Sequence, residues 1–362
     1  MKVGIVTFHR AHNYGAVLQC YALYKTLESL GNQVEVIDYY PTYFHEEYAV
    51  FSKKRFKLLS LKSKIVYLIK SVICWPTKQK RINKFNDFIK KLPLSSIQYM
   101  ENTNYPLGYD YIVFGSDQIW NPLLTEGIDN IFSGGFPKNN TKFIGYAAST
   151  NPRLLNKEYT DYFKGIIARF DAISTRESSL CDYLNMLEPK SAFQVLDPVL
   201  LLEREGWEHL IVKPDIDNYV LIYTVPQSED VYEMAKMIAV EKGLKVIEVR
   251  PYVDIQNKRN VFQTTSPEEF LGYFKYASYV VTTSFHGTAF SVKFQKEFVT
   301  LKLESEIDDR TYNLLKQIDI LERMIPKKEL RIPITKIDYK LVNKRMEKLI
   351  YESKEFIKNS IK

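Results

Sequence analysis

Cysteine is scarce: of 362 residues only Cys20, Cys74 and Cys181 carry a thiol, far apart and without a CxxC spacing. This argues against a disulfide framework or a thiolate zinc site, and fits a reducing cytoplasm. No apolar stretch approaches the length of a membrane-spanning helix. Lys2 leads straight into VGIVTF, so no secretory leader is expected. Low-complexity tracts and internal repeats are absent. So are GxGxxG after the first strand, GxxxxGK[ST], HExxH and GxSxG. The common forms of nicotinamide, ATP and metal chemistry lose ground accordingly.

What is present reads as a globular protein, 45% hydrophobic and 26% charged. The chain is long for one hydrophobic core, and two domains are expected. Its net charge of +7 is unevenly placed, because residues 53–91 carry thirteen Lys and Arg against one acid, Asp87. The remainder is therefore mildly acidic. Within that segment Leu58, Leu61, Ile65, Leu68, Ile69 and Val72 recur at helical spacing. The default reading is a surface helix with a solvated charged face. The alternative is attraction to anionic lipid headgroups, at roughly 1 kcal/mol per basic residue near the surface. Nucleic acid is disfavoured, since no recognised binding module accompanies the charge.

The order of elements predicts an α/β fold. A strand at 3–8, the turn HRAHNYGA, a helix stopped by Gly31 and a strand QVEVIDYY make a β-loop-α-β unit. In a parallel sheet its first loop sits at the carboxyl edge, where ligands bind. Strands at 109–117, 142–149 and 170–177 also end in small or polar residues. The pattern restarts after LDPVLLLEREGW with strands at 219–225 and 245–252 and a helix over 229–242 ended by Gly243. SPEEF is a capping-box start, followed by YVVTTS, a helix through TAFSVKFQ and a strand EFVTLKL. The residues from Ile337 onward read as one amphipathic helix. Two doubly wound halves facing across a cleft is the economical arrangement.

Four places carry candidate chemistry. In TTSFHGTAF (282–290), His286 is either a structural hydrogen-bonder at a strand end or the imidazole of an anion site. Gly287 allows close backbone approach, and the next helix presents unpaired N–H groups suited to a phosphate or carboxylate. Arg176, in STRES, is either an exposed partner of Glu177 or a bidentate clamp on an anion. Arg310 meets the same choice, with Asp308 and Asp309 as adjacent ion-pair partners. GSDQIWN supplies Asp117, Gln118, Trp120 and Asn121, which form either a turn over core or a sugar-binding wall with Asp117 as general base. His9, His12 and Asn13 in the first loop are candidates for the same cleft, with His9 equally readable as a satisfied structural histidine.

The blocks VGIVTFHRAHNYGAVLQCYAL, YIVFGSDQIWNP, FDAISTRES, LDPVLLL and PEEFLGYFKYASYVVTTSFHGTAFSVKF, with the later R-x-x-x-L-L, resemble the polysaccharide pyruvyl transferases in order over about residues 1–325. The resemblance implies a GT-B-like fold of two Rossmann-type domains, at 1–207 (with the basic insertion at about 53–91) and 208–325, then a helical tail at 326–362. It implies transfer of a pyruvyl group from phosphoenolpyruvate to a sugar of a polysaccharide or lipid-linked precursor, as a cyclic ketal of a bacterial cell-surface glycan. No metal or cofactor is implied beyond phosphoenolpyruvate as co-substrate. The family's arginine after the mid-chain strand corresponds to Arg176, and its HG pair to His286 and Gly287. Taken with the residue reading above, His286 and Asp117 are the expected catalytic pair. Arg176, Ser284, Phe285, Gly287, Thr288 and Arg310 form the donor site, and His9, His12, Asn13, Tyr14, Gln118, Trp120 and Asn121 the acceptor site. Some members carry arginine where this chain has Ser284, and Arg310 is the expected substitute. The rival readings are a GT-B glycosyltransferase using a nucleotide sugar and a non-catalytic glycan-binding protein. The expected location is cytoplasmic, peripheral at the inner face of the cell membrane.

Overall fold

The apolar runs of the first half become a seven-stranded sheet, and those of the second half a six-stranded one, both parallel throughout. The computed structural model describes residues 1–100, 108–135, 137–225, 228–255, 260–304 and 308–362. In the first half, β1 (Lys2–Val6), α1 (Tyr14–Ser29) and β2 (Gln33–Tyr39) are followed by three helices, α2 (Thr42–Tyr48), α3 (Lys53–Leu58) and α4 (Leu61–Ile89). Then come β3 (Leu94–Tyr99), β4 (Tyr111–Phe114), β5 (Lys142–Ala148), α5 (Thr160–Arg169), β6 (Ala172–Thr175), α6 (Ser178–Leu187) and β7 (Phe193–Gln194). The short helices α7 (Pro198–Leu201) and α8 (Arg204–Glu208) lead across.

The second half runs β8 (Tyr219–Tyr223), α9 (Glu229–Lys242), β9 (Lys245–Val249), β10 (Val261–Phe262), α10 (Pro267–Tyr276), β11 (Tyr279–Thr282), α11 (Phe285–Lys293), β12 (Phe298–Leu301), α12 (Asp308–Gln317) and β13 (Met324–Ile325). A last helix, α13 (Tyr339–Ser360), returns to the first half, where Ser353 Oγ accepts from the Leu196 amide.

The strand orders are β3-β2-β1-β4-β5-β6-β7 and β10-β9-β8-β11-β12-β13. Each is a doubly wound order whose direction reverses once, between β1 and β4 and between β8 and β11. Loops leaving such neighbours diverge and open a crevice at the carboxyl edge. The two halves thus form the GT-B-like arrangement of paired Rossmann-type units.

Local chemistry explains the ends of the elements. Gly31 and Gly243 take positive φ of 83° and 64° after α1 and α9, a conformation glycine adopts without Cβ strain. Ser266 and Glu269 close the capping box of α10. The edge strands β3, β7, β10 and β13 have no clear counterpart in the sequence pattern. They are short or half-exposed and lack the buried apolar run of central strands.

One core crosses both halves. It joins Val17, Leu23 and Leu27 of α1 to Phe270 and Phe274 of α10 and to Val280 and Phe290 beyond. Arg81 of α4 is wedged into the same seam. Its guanidinium donates to the Tyr14 hydroxyl and the His12 carbonyl on one side, and to the Arg250 and Gln263 carbonyls on the other.

The basic segment forms surface helices with its charged residues solvated, as the default reading has it. The apolar stripe also faces solvent, and the inward face of α4 at that level is Ser71 and Cys74.

Candidate active site at the two switch points

Val6 pairs with Phe114, and Tyr223 with Thr282, so all four loops at the two switch points leave toward a shared space. There lies a cavity of about 490 Å³. Its walls include Asn13 and Asp117 from the first half and Thr283, Ser284, His286 and Arg310 from the second, with Tyr43, Glu47 and Tyr48 of α2 along the rim.

His286 lies in the first turn of α11. Its ring rests directly on Gly15, where an added Cβ would fall 2.0 Å from Nδ1. That glycine is therefore required by close approach between the halves, and only its backbone fits beneath the imidazole. The other nitrogen, Nε2, stands 3.7 Å from Asp197 Oδ2. Asp197 in turn takes Arg176 Nη1 at 2.7 Å and the Ser116 hydroxyl at 3.2 Å, while its other oxygen caps α7. Burial alone raises a carboxyl, yet His286 and Arg176 hold Asp197 well below the usual carboxylate range.

Arg176 continues the network to Glu177 at 3.4 Å and Asp117 at 3.6 Å. Burial works against its charge, but Glu177, Asp197 and Asp117 outweigh it and raise the guanidinium further. Burial pushes Glu177 up despite the two arginines beside it. Three buried polar atoms of this group, Arg176 Nη2, Glu177 Oε2 and His286 Nε2, have no hydrogen-bond partner. Such atoms are rare in native proteins and call for an explanation, a functional role among them.

Arg310, at the start of α12, does reach the cavity. Its carboxylate neighbour is Glu177 at 3.8 Å, while Asp309 turns to Ser179 and Asp308 to the Leu303 amide. With its carboxamide oxygen toward Arg310, Gln118 accepts from that guanidinium at 2.9 and 3.2 Å. Burial and the charge of Arg176 pull Arg310 downward.

Several expected site residues face elsewhere. Arg176 lies behind the cavity wall under the Phe285 ring, its centre 4.7 Å from the ring centroid, with its charge already matched by carboxylates. His9 is fully buried between the Thr7 carbonyl and Asp38. His12 packs against Tyr48 and Phe85, and burial with Arg81 drives it down to about 4. The Tyr14 hydroxyl donates to the Thr265 carbonyl, and its ring stacks on Phe270.

Trp120 is core, donating to the Phe132 carbonyl. Asn121 caps the Leu123 amide. Gly287 is tight against Thr282, and Thr288 bonds to Thr300 inside the second half. Ser284 lines the cavity and caps the Gly287 amide, so the remaining first-turn amides of α11 are those of Phe285 and His286. Among the described residues no group of three or more His, Cys, Asp or Glu is arranged to hold a metal ion.

Sequence reasoning gave Asp197, Glu177, Gly15 and the α2 rim no role in the site. LDPV reads as an ordinary Asp-Pro helix start, and Asp197 is one; its second partner comes from 89 residues further along the chain.

The model of the family described as polysaccharide pyruvyl transferase matches residues 13–305. No curated protein matches the chain. Similar solved structures include MnaA of S. aureus with UDP, at 10% identity over 98% of this chain and 90% of that one, TM-score 0.46. The UDP-GlcNAc 2-epimerase of Methanocaldococcus jannaschii shares 12% identity over 97% and 93%, TM-score 0.44. That of Neisseria meningitidis bound to UDP-GlcNAc shares 9% over 99% and 93%, TM-score 0.42.

Proposed function

Since this chain belongs to the polysaccharide pyruvyl transferase family, we propose that it transfers the pyruvyl group of phosphoenolpyruvate to a sugar as a cyclic ketal, releasing phosphate. The observation that carries this reading is the sharing of one cavity by His286, Arg310 and Asp117, drawn from both halves. They supply an acid, a fixed cation and a carboxylate where a small dianion and a sugar hydroxyl would meet.

Arg310 and the first-turn amides of α11 take the anionic groups of the donor. The repulsion between Arg310 and Arg176 is relieved when an anion enters. Protonated His286 gives its proton to C3 of the enol, which becomes a methyl group, and positive charge develops at C2. A sugar hydroxyl adds to C2 and loses its proton to Asp117. The C2–O bond to phosphate then breaks, a second hydroxyl adds as its proton passes to His286, the ketal closes, and the proton held by Asp117 leaves with phosphate. The ionised Asp197 faces the imidazole throughout, so the Arg176–Asp197 pair positions the acid and does not touch the donor. Because Ser284 caps α11, Arg310 supplies the charge that some members place at that position. No metal or cofactor enters the reaction. The acceptor is a lipid-linked precursor of a cell-surface glycan, met in the cytoplasm beside the membrane.

The test is phosphate release from phosphoenolpyruvate with a panel of lipid-linked and model glycosides. Arg310→Ala should raise the KM for phosphoenolpyruvate roughly tenfold or more, and Arg310→Lys should restore only part of it. If no acceptor releases phosphate, and a nucleoside diphosphate but not phosphoenolpyruvate raises the melting temperature, the nucleotide-sugar reading replaces this one.

A further inference from the structure

Helix α4 is two different helices in one. Beyond Pro76 its inner half is interfacial: Arg81, Phe85, Phe88 and Ile89 are buried, and Lys84 pairs with Glu269 of the other half. Before Pro76 the outer half turns an apolar face to solvent. Leu61, Ile65, Ile69 and Val72 recur at three and four residues and are 79, 56, 55 and 71% exposed. Leu68, Ile73 and Trp75 extend the same exposed face, and Leu58 of α3 continues it. Soluble monomers rarely leave an apolar stripe of this length in water.

On α3 and the outer half of α4 the stripe is bordered by charge of one sign. Lys53, Lys54, Arg55 and Lys57 of α3 and Lys62 and Lys70 of α4 are all exposed. The one acid within 53–91, Asp87, lies at the far end of α4 and pairs with Lys90. Phe51 and Phe56 pack on Tyr67, which fixes α3 alongside α4 and makes the two helices one surface. No helix among the described residues is long and apolar enough to cross a membrane. An apolar face rimmed by lysine and arginine fits the plane of an interface instead.

We propose that the α3–α4 face docks on an anionic lipid surface. A second copy is the poorer occupant, because joining two such faces brings like charge against like charge. Nucleic acid would match the charge and leave the apolar stripe unused. An anionic bilayer satisfies both features.

The surface also sits beside the cavity mouth. Glu46 of α2 accepts from the Ser52 hydroxyl and the Lys54 amide, and Lys54 forms an ion pair with Glu126. Glu126, Leu123 and Leu124 line the cavity together with Tyr43, Glu47 and Tyr48 of α2. Docking through α3 and α4 therefore brings the acceptor side of the cavity near the headgroups. That consequence rests on the lipid-linked acceptor proposed above; the docking surface does not.

The experiment is sedimentation of the full chain with vesicles of phosphatidylglycerol and phosphatidylcholine, and with phosphatidylcholine alone. The protein should pellet with the anionic vesicles and stay in solution with the neutral ones. The triple variant Ile65→Ser, Ile69→Ser, Val72→Ser should lose roughly tenfold or more in partitioning, with an unchanged circular dichroism spectrum. Neutralising Lys53, Lys54, Arg55 and Lys57 to Gln should remove the preference for anionic vesicles. Wild-type protein that ignores both vesicles, or a triple variant that binds as well as wild type, would overturn the proposal. A wild-type dimer that the triple variant converts to monomer in light scattering would reassign the face to self-association. Because this readout needs no turnover, failure of the proposed reaction would leave it standing.

Discussion

At the switch point between β1 and β4, and along the neighbouring strand ends, the first half places Asp117 on the cavity wall and behind it Arg176, Glu177 and Asp197, a buried network of opposite charges. At the switch point between β8 and β11 the second half places Thr224, Thr282, Thr283 and Ser284, small hydroxyls engaged with one another and with backbone. The same topology thus carries two kinds of furniture. Fixed charge is built into the first half, and all of it but Asp117 is held away from solvent. The second half offers a helix start, one imidazole and, from α12, one guanidinium. For the donor proposed above, a small anion, this division is an advantage, since fixed charges need no rearrangement when it arrives.

The comparison can be tested by substitution on each side. The largest effect belongs to His286→Ala, which should lower turnover roughly a thousandfold with the fold retained, measured as phosphate release. Arg176→Ala should act on the opposite variable. Removing one member of a buried charge network leaves carboxylates uncompensated, so a loss of about 3–5 kcal/mol is expected in urea unfolding. If that variant kept its stability and lost only affinity for phosphoenolpyruvate, Arg176 would be a donor contact and the contrast between halves would collapse.

His12 sharpens the contrast within one loop. Its folded value of about 4 lies below the ordinary histidine value near 6.5, so between them the unfolded chain binds the extra proton. Stability should therefore fall as pH drops from about 6.5 to about 4, by up to about 3 kcal/mol. His12→Gln should flatten that slope in urea unfolding at pH 7 and pH 5. The smallest effect is that of Ser284→Ala, about 1 kcal/mol from the lost cap of α11. A much larger rise in the KM for phosphoenolpyruvate would show its hydroxyl on the donor.

Much of the fold was legible because the central strands announce themselves. YVLIY and YVVT are uninterrupted apolar runs buried on both faces, and Ser266 with Glu269 marks a helix start by its own chemistry. His286 was legible for a related reason, since a histidine just past a buried strand in a parallel sheet can only be at the carboxyl edge. Asp197 was not, because its helix-capping role explains its presence without any reference to His286. Tyr43, Glu47 and Tyr48 reach the cavity through the turn of α2, and nothing local records that. Periodicity gave α4 an apolar stripe, but period alone cannot say whether a stripe meets protein or water. Trp120 erred in the other direction. An indole in a polar loop suits sugar binding, but Gly145 beneath it opens room for it in the core.

Arg81 has a consequence for how the molecule comes apart. Two Rossmann-type units on one chain would ordinarily melt as separate bodies joined by a linker. Here a single guanidinium bonds carbonyl groups on both sides of the seam, within a hydrophobic core that runs without a break from α1 to α10. Neither unit can lose its structure without exposing the other's, so calorimetry should record one cooperative transition, with neither half persisting alone.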